Sequence, residues 1–144
     1  MQSEIIIIMT RRIFVDTGAW VGLADRSNDL HAPAKTAYGR LLQPGNRLVT
    51  TNLVIAESYT LIRRRVGHQA AMRFLQSLQT SPRLEKVFSD PTLEREAEVI
   101  LRRYTDQDFS YTDAVSFAVM QEKSIAEVFG FDGHFRTTGF VLLP

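Results

Sequence analysis

From Arg12 onward the chain alternates short, strand-length apolar runs with longer segments of helical periodicity, and this alternation leaves few architectures open. The strand-like runs are Arg12-Ile13-Phe14-Val15, Arg47-Leu48-Val49-Thr50, Arg83 to Phe88, Ile125 to Phe131 and Phe140-Val141-Leu142-Leu143. Between them, helices are expected around Ala19 to Ala24, from about Leu30 to Leu42, from Asn52 to Val66, from about Gln69 to Gln79, from Asp90-Pro91 to about Tyr104, and after Ser110. The punctuation agrees with that division. Gln43-Pro44-Gly45-Asn46 and Gly67 are breakers, Pro91 suits a first helical position, and Asn52 is a good N-cap. Ser110-Tyr111-Thr112-Asp113 has capping-box spacing, and the helix it opens is apolar on most sides. Strands alternating with helices predict an α/β fold, a parallel sheet of about five strands covered on both faces.

The length, 144 residues, suits one domain spanning 1–144, and no repeat or linker divides it. Without cysteine there is no disulfide framework and no thiol chemistry, which fits a cytoplasmic protein. Ile5-Ile6-Ile7-Ile8 is too short to cross a membrane and lacks the flanks of a signal peptide. The expectation is a non-native or flexible extension over residues 1–9, with Met9 as an alternative start of translation. The net charge is only +1, yet the cations are nearly all arginine, with Lys35, Lys86 and Lys123 the only lysines. Arginine is the better fork for phosphate, and a GC-rich genome gives the same bias.

Four acids fall where an apolar run stops or a helix begins: Asp16, Glu57, Asp113 and Asp132. In a doubly wound fold such positions share the carboxyl rim of the sheet. Carboxylates gathered there repel one another, and at least one pKa rises unless a cation is bound. A hard divalent ion, Mg²⁺ or Mn²⁺, relieves the repulsion and supports phosphoester hydrolysis. A lone acid at a strand end is more often a cap or a surface charge. Asp25, Asp29, Asp90, Asp106 and Asp108 are read that way, although spacing alone does not reject Asp90 or Asp108.

Ile13-Phe14-Val15-Asp16-Thr17, Thr50 to Glu57, Ser110-Tyr111-Thr112-Asp113-Ala114 and Phe131-Asp132-Gly133-His134-Phe135 together resemble the successive motifs of PIN-domain nucleases. The pattern is similar to that of VapC-type toxins, and it covers nearly the whole chain from Ile13. The resemblance implies a three-layer α/β/α sandwich and a Mg²⁺- or Mn²⁺-dependent endoribonuclease. In that reading Asp16 and Asp113 are the principal metal ligands, and Glu57 and Asp132 act partly through water. A water activated by the metal attacks phosphorus in line and leaves a 5′-phosphate and a 3′-hydroxyl. Thr17 and Thr112 stand where the family places small hydroxyl residues and would orient water or phosphate. Asn52 serves the site or caps its helix, the cap being favoured. A small antitoxin bound across the acidic cleft and a homodimer are further implications, together with RNA as substrate and no membrane.

Arg63-Arg64-Arg65 is the densest basic cluster; at most two of its members can address one surface. Arg64, two turns beyond Glu57, and Arg136, one turn beyond Asp132, are the candidate contacts to RNA phosphate. The alternative for Arg64 is a solvated helix end. Arg102-Arg103 reads as structural. His31, His68 and His134 read as turn or cap residues, His134 lying close in sequence to Asp132. Trp20 and Phe14 read as core. Two other functions fit less well: a PIN-domain protein of RNA processing or an idle binding scaffold, and a phospho-accepting receiver. A receiver needs a lysine after its last strand, and neither Lys86 nor Lys123 is so placed.

Overall fold

The structure, a computed structural model, describes residues 10–144. The expected extension over residues 1–9 lies outside the described residues. The chain order is β1 (Arg11–Val15), α1 (Thr17–Ala24), α2 (His31–Leu41), β2 (Asn46–Thr51), α3 (Asn52–Arg65), α4 (His68–Thr80), β3 (Leu84–Val87), α5 (Pro91–Arg103), α6 (Tyr111–Glu122), β4 (Glu127–Phe129), α7 (His134–Thr137) and β5 (Val141–Leu143). The five strands form one sheet in the order β3-β2-β1-β4-β5, and every neighbouring pair is parallel. Helices α1 to α4 pack on one another and α5 packs on α6, which gives the outer layers of an α/β/α sandwich.

The central strand explains its own position. Ile13, Phe14 and Val15 are all fully buried, as a strand covered on both faces requires. Trp20 and Phe14 are core residues, as expected. Helix α6 is buried along eight consecutive residues, Asp113 to Met120, and it runs through the middle of its layer. Phe117 packs edge-on against Phe109 and Phe135, 5.0 Å away in each case. At the amino edge the Arg11 guanidinium grips both oxygens of Glu127 at 2.7 Å and ties β1 to β4.

The strand order matters most for function. From β1 the chain moves out through β2 to β3, then returns to the other side of β1 for β4 and β5. The direction reverses between β1 and β4, and the crevice beyond their carboxyl ends is where such sheets bind ligands. A receiver domain has the order 2-1-3-4-5, so the strand order overturns that alternative.

Two local expectations need correction. Asn52 does not cap α3. Strand β2 continues through Thr51, whose extended backbone leads straight into the helix, and the Val54 N–H donates to Thr51 Oγ1 at 3.1 Å. Asn52 is the first helical residue, and its Oδ1 accepts from the Ser89 N–H at 2.9 Å, fastening α3 to the segment after β3. The fourth strand is also shorter than its apolar run. It stops at Phe129, and Gly130 to Gly133 lead into the short α7.

Candidate active site

The sheet delivers the four acids to one cleft of about 270 Å³, lined by Asp16, Glu57, Asp113 and Asp132 together with Thr17, Gly18, Val21, Asn28, Leu30, Leu61 and Arg65. Each arrives by a different local device. Asp16 is the residue after β1 and the N-cap position of α1; its N–H donates to Phe129 O and keeps it in line with β4. Asp113 is the third residue of α6, inside a capping box. Its N–H donates to Ser110 Oγ at 3.0 Å, and its Oδ2 accepts from the Ser110 N–H at 3.1 Å. Asp132 accepts from the His134 N–H at 2.9 Å, which opens α7. Glu57 stands in the second turn of α3 and is exposed, at the rim of the cleft.

Gly130 lets two of these devices meet. A Cβ at Gly130 would lie 3.1 Å from the Cβ of Asp16, closer than side chains normally pack. The loop after β4 therefore passes against the first acid only because a glycine stands there.

Burial pushes the Asp16 carboxyl up to about 7 from its ordinary 3.8. The Thr17 backbone N–H pulls it back, and the charges of Asp113, Asp132 and Glu57 push it up again. An acid so placed keeps part of its proton near neutral pH, and a positive charge brought beside it favours the ionised form.

His134 belongs to the same cluster. Its Nδ1 lies 3.2 Å from Asp113 Oδ2 and 3.4 Å from Asp132 Oδ1, and its ring meets Phe109 edge-on at 5.0 Å. Asp113, Asp132 and His134 each offer a ligating atom within 4.8 Å of the others. The reading of His134 as a turn residue is too narrow. Its nearness to Asp132 in the sequence was the available signal, and the contact with Asp113 is made only by the fold.

The remaining candidates divide. Thr17 lines the cleft, and its Oγ1 is buried without a hydrogen-bond partner among the described residues. Thr112 is half-buried and does not line the cleft; its carbonyl accepts from Ser116 Oγ. Arg64 and Arg136 are exposed and lie outside the lining, whereas Arg65 is part of it. His31 is structural, its Nδ1 lying 2.8 Å from Gly22 O. Lys123 pairs with Glu85 at 3.3 Å and Lys86 lies over the Phe88 ring, so neither reaches the acids. A larger cleft of about 360 Å³, between Trp20, Tyr38 and Phe74 on the other side of α1, contains no acid.

The donor set fits a hard divalent cation. It is nearly all oxygen, its most enclosed carboxylate, Asp16, is pushed up by burial and by the neighbouring acids, and it includes an unpartnered hydroxyl at Thr17. A sheet with this switch point and these carboxylates makes a crevice suited to a divalent cation, and hydrolysis of phosphoesters is one class of chemistry such a centre supports.

Comparison with known proteins narrows that class. The PIN domain family profile matches residues 13–141. The 23S rRNA-specific endonuclease VapC20 of Mycobacterium tuberculosis (strain H37Rv) is 38% identical over 130 residues, 90% of this chain and 95% of that protein. A VapC ribonuclease of Archaeoglobus fulgidus is 28% identical over 123 residues, 84% of this chain and 77% of that protein. The crystal structure of Mycobacterium tuberculosis VapC20, described as a sarcin–ricin loop cleaving toxin, superposes with a TM-score of 0.83 at 35% identity, covering 92% of this chain and 99% of that one. The chain belongs to the PIN domain family, as a ribonuclease of the VapC toxin group. Among the described residues no helix is long and apolar enough to cross a membrane.

Proposed function

We propose that the protein is a Mg²⁺- or Mn²⁺-dependent endoribonuclease toxin that cuts a structured loop of ribosomal RNA. The observation that carries the metal-dependent chemistry is the convergence of Asp16, Glu57, Asp113 and Asp132 on one cleft in which Asp16 is pushed up to about 7. The ribosomal target rests on the likeness to VapC20.

Asp16 and Asp113 would hold the cation directly, being the two most enclosed of the four cleft acids. Asp132 and Glu57, more open to solvent, would reach it partly through water. When bound, the cation acidifies water and offsets charge on the phosphate. The protein's own contribution is placement. Ser110 and His134 fix the Asp113 carboxylate, Gly130 lets Asp16 approach the β4 loop, and the Thr17 hydroxyl is free to position water or a phosphate oxygen. Water adds to phosphorus and the bond to the 3′ oxygen breaks, leaving a 5′-phosphate and a 3′-hydroxyl. Arg64 and Arg136, exposed and outside the cleft lining, would meet phosphates farther along a long RNA.

The same reading includes a small antitoxin bound across the acidic cleft with a cation against the carboxylates, a homodimer, and action in the cytoplasm. Co-purification with the product of a neighbouring short reading frame, and the mass in solution, test the first two. The catalytic test uses a ribosomal loop RNA and a scrambled RNA, with Mn²⁺ or a chelator, for the wild type and Asp16→Asn. Cleavage of the loop RNA that needs the ion and falls at least about 100-fold in the variant supports the function. Equal cleavage by both proteins identifies a contaminant and overturns it.

A further inference from the structure

Among the residues lining the acidic cleft, Arg65 is the only cation. It forms no ion pair among the described residues. Glu57, Leu61 and Arg65 follow one another at four-residue steps along α3, so the cleft wall runs up this ridge from an acidic end to a basic one. The ridge separates the Glu57 and Arg65 backbones by about 12 Å. That distance is too long for the two to neutralise each other. Asn28, in the loop between α1 and α2, also lines the cleft. Its Oδ1 accepts from the Leu30 N–H at 2.9 Å, which leaves its amide N–H groups as donors. Every other charged group in the lining is an acid.

We propose that Arg65, assisted by Asn28, forms a phosphate subsite that holds the substrate strand one or two nucleotides from the scissile bond. The inference rests on the ribonuclease reading. The physics is a matter of charge. A strand of RNA cannot lie in a cleft of carboxylates by means of the cation alone, because its flanking phosphates meet the same negative field. A guanidinium at the far end of the ridge offsets that field where the next phosphates pass, and its planar fork suits phosphate oxygens.

The test measures RNA binding apart from turnover. A fluorescent single-stranded RNA oligonucleotide is titrated, with Mg²⁺ present, into Asp16→Asn and into the same protein carrying Arg65→Ala, Arg65→Lys or Arg63→Ala. Arg63→Ala removes one charge from the same turn on another face. Arg65→Ala weakens binding about tenfold and lowers the slope of log affinity against log salt by about 1, while Arg63→Ala changes neither. Arg65→Lys recovers part of the loss. In the active protein Arg65→Ala raises KM and leaves kcat and Mn²⁺ affinity within about twofold. Equal effects of Arg63→Ala and Arg65→Ala, or binding unchanged by Arg65→Ala, overturn the subsite. A wild type that binds RNA through Arg65 yet cleaves none refutes the nuclease function and leaves the subsite standing.

Discussion

His134 Nδ1 lies 3.2 Å from Asp113 Oδ2, a contact between residues 21 positions apart in the sequence. Asp113 stands at the start of a buried helix and His134 at the start of a four-residue one. The imidazole thus orients a carboxylate whose other constraint is the Ser110 N–H. His134→Ala is expected to weaken Mn²⁺ binding and RNA cleavage about tenfold, the usual scale for losing a group that orients a metal ligand. Isothermal calorimetry and single-turnover cleavage check this, with circular dichroism to confirm the fold. Unchanged Mn²⁺ affinity would remove His134 from the site.

The pH dependence follows from Asp16. Its folded-state value of about 7 exceeds the ordinary 3.8, so the folded protein holds a proton there that the unfolded chain releases. The stability linked to this proton is complete below about pH 4 and is lost as pH rises through 7, by at most about 4 kcal/mol. In chelator, the wild type is therefore expected to lose thermal stability relative to Asp16→Asn between pH 5 and pH 8. Mn²⁺ needs the ionised form, so it raises the wild-type melting temperature more at pH 8 than at pH 5. Parallel curves for the two proteins would contradict the assignment.

Gly130→Ala puts a methyl group 3.1 Å from the Asp16 Cβ. The nearest atoms all belong to Asp16, whose Cβ is fixed to its own backbone, so Asp16 or the loop has to give by a few tenths of an ångström. A loss of about 1–3 kcal/mol in stability is expected. A displacement of Asp16 by even part of an ångström should lower cleavage about 10- to 100-fold. Denaturant unfolding and initial rates measure the two effects. A variant with normal activity would mean that the loop yields freely.

Asp90→Ala is the counterpart. Asp90 Oδ1 accepts from the Leu93 N–H at 2.8 Å at the start of α5, and Asp90 does not line the cleft. About 1 kcal/mol of stability should go with the cap, and cleavage should not change. A large fall in activity would place a fifth acid in the chemistry.

Asp90 and Asp16 also show how far the sequence could be read. Both end an extended segment and begin a helix, and both have the dihedrals of a cap. The strand order separates them, because Asp16 follows the central β1 at the switch point and Asp90 follows the edge strand β3, where its side chain is spent on the cap. The alternation of elements and the order of acids were legible because hydrophobic period and cap chemistry are local. Contacts set by a helix's rotation were not. Arg64 lies nearer the Glu57 face of an ideal helix, but the cleft follows the tilted four-residue ridge and takes Arg65. Thr51 and Asn52 are both competent caps, and the length of β2 decides between them. His134 was hidden for another reason: its partner Asp113 stands on α6, 21 residues earlier, and the two meet only in the fold.

All five strands point the same way, so the loops at their starting ends lie on the edge away from the acids, about 20 Å off in the case of the six-residue β2. Ser81-Pro82, entering β3 on that side, is one such place, with Pro82 open to solvent. A dye, an affinity handle or a grafted peptide inserted there would report on the enzyme at work without touching its chemistry.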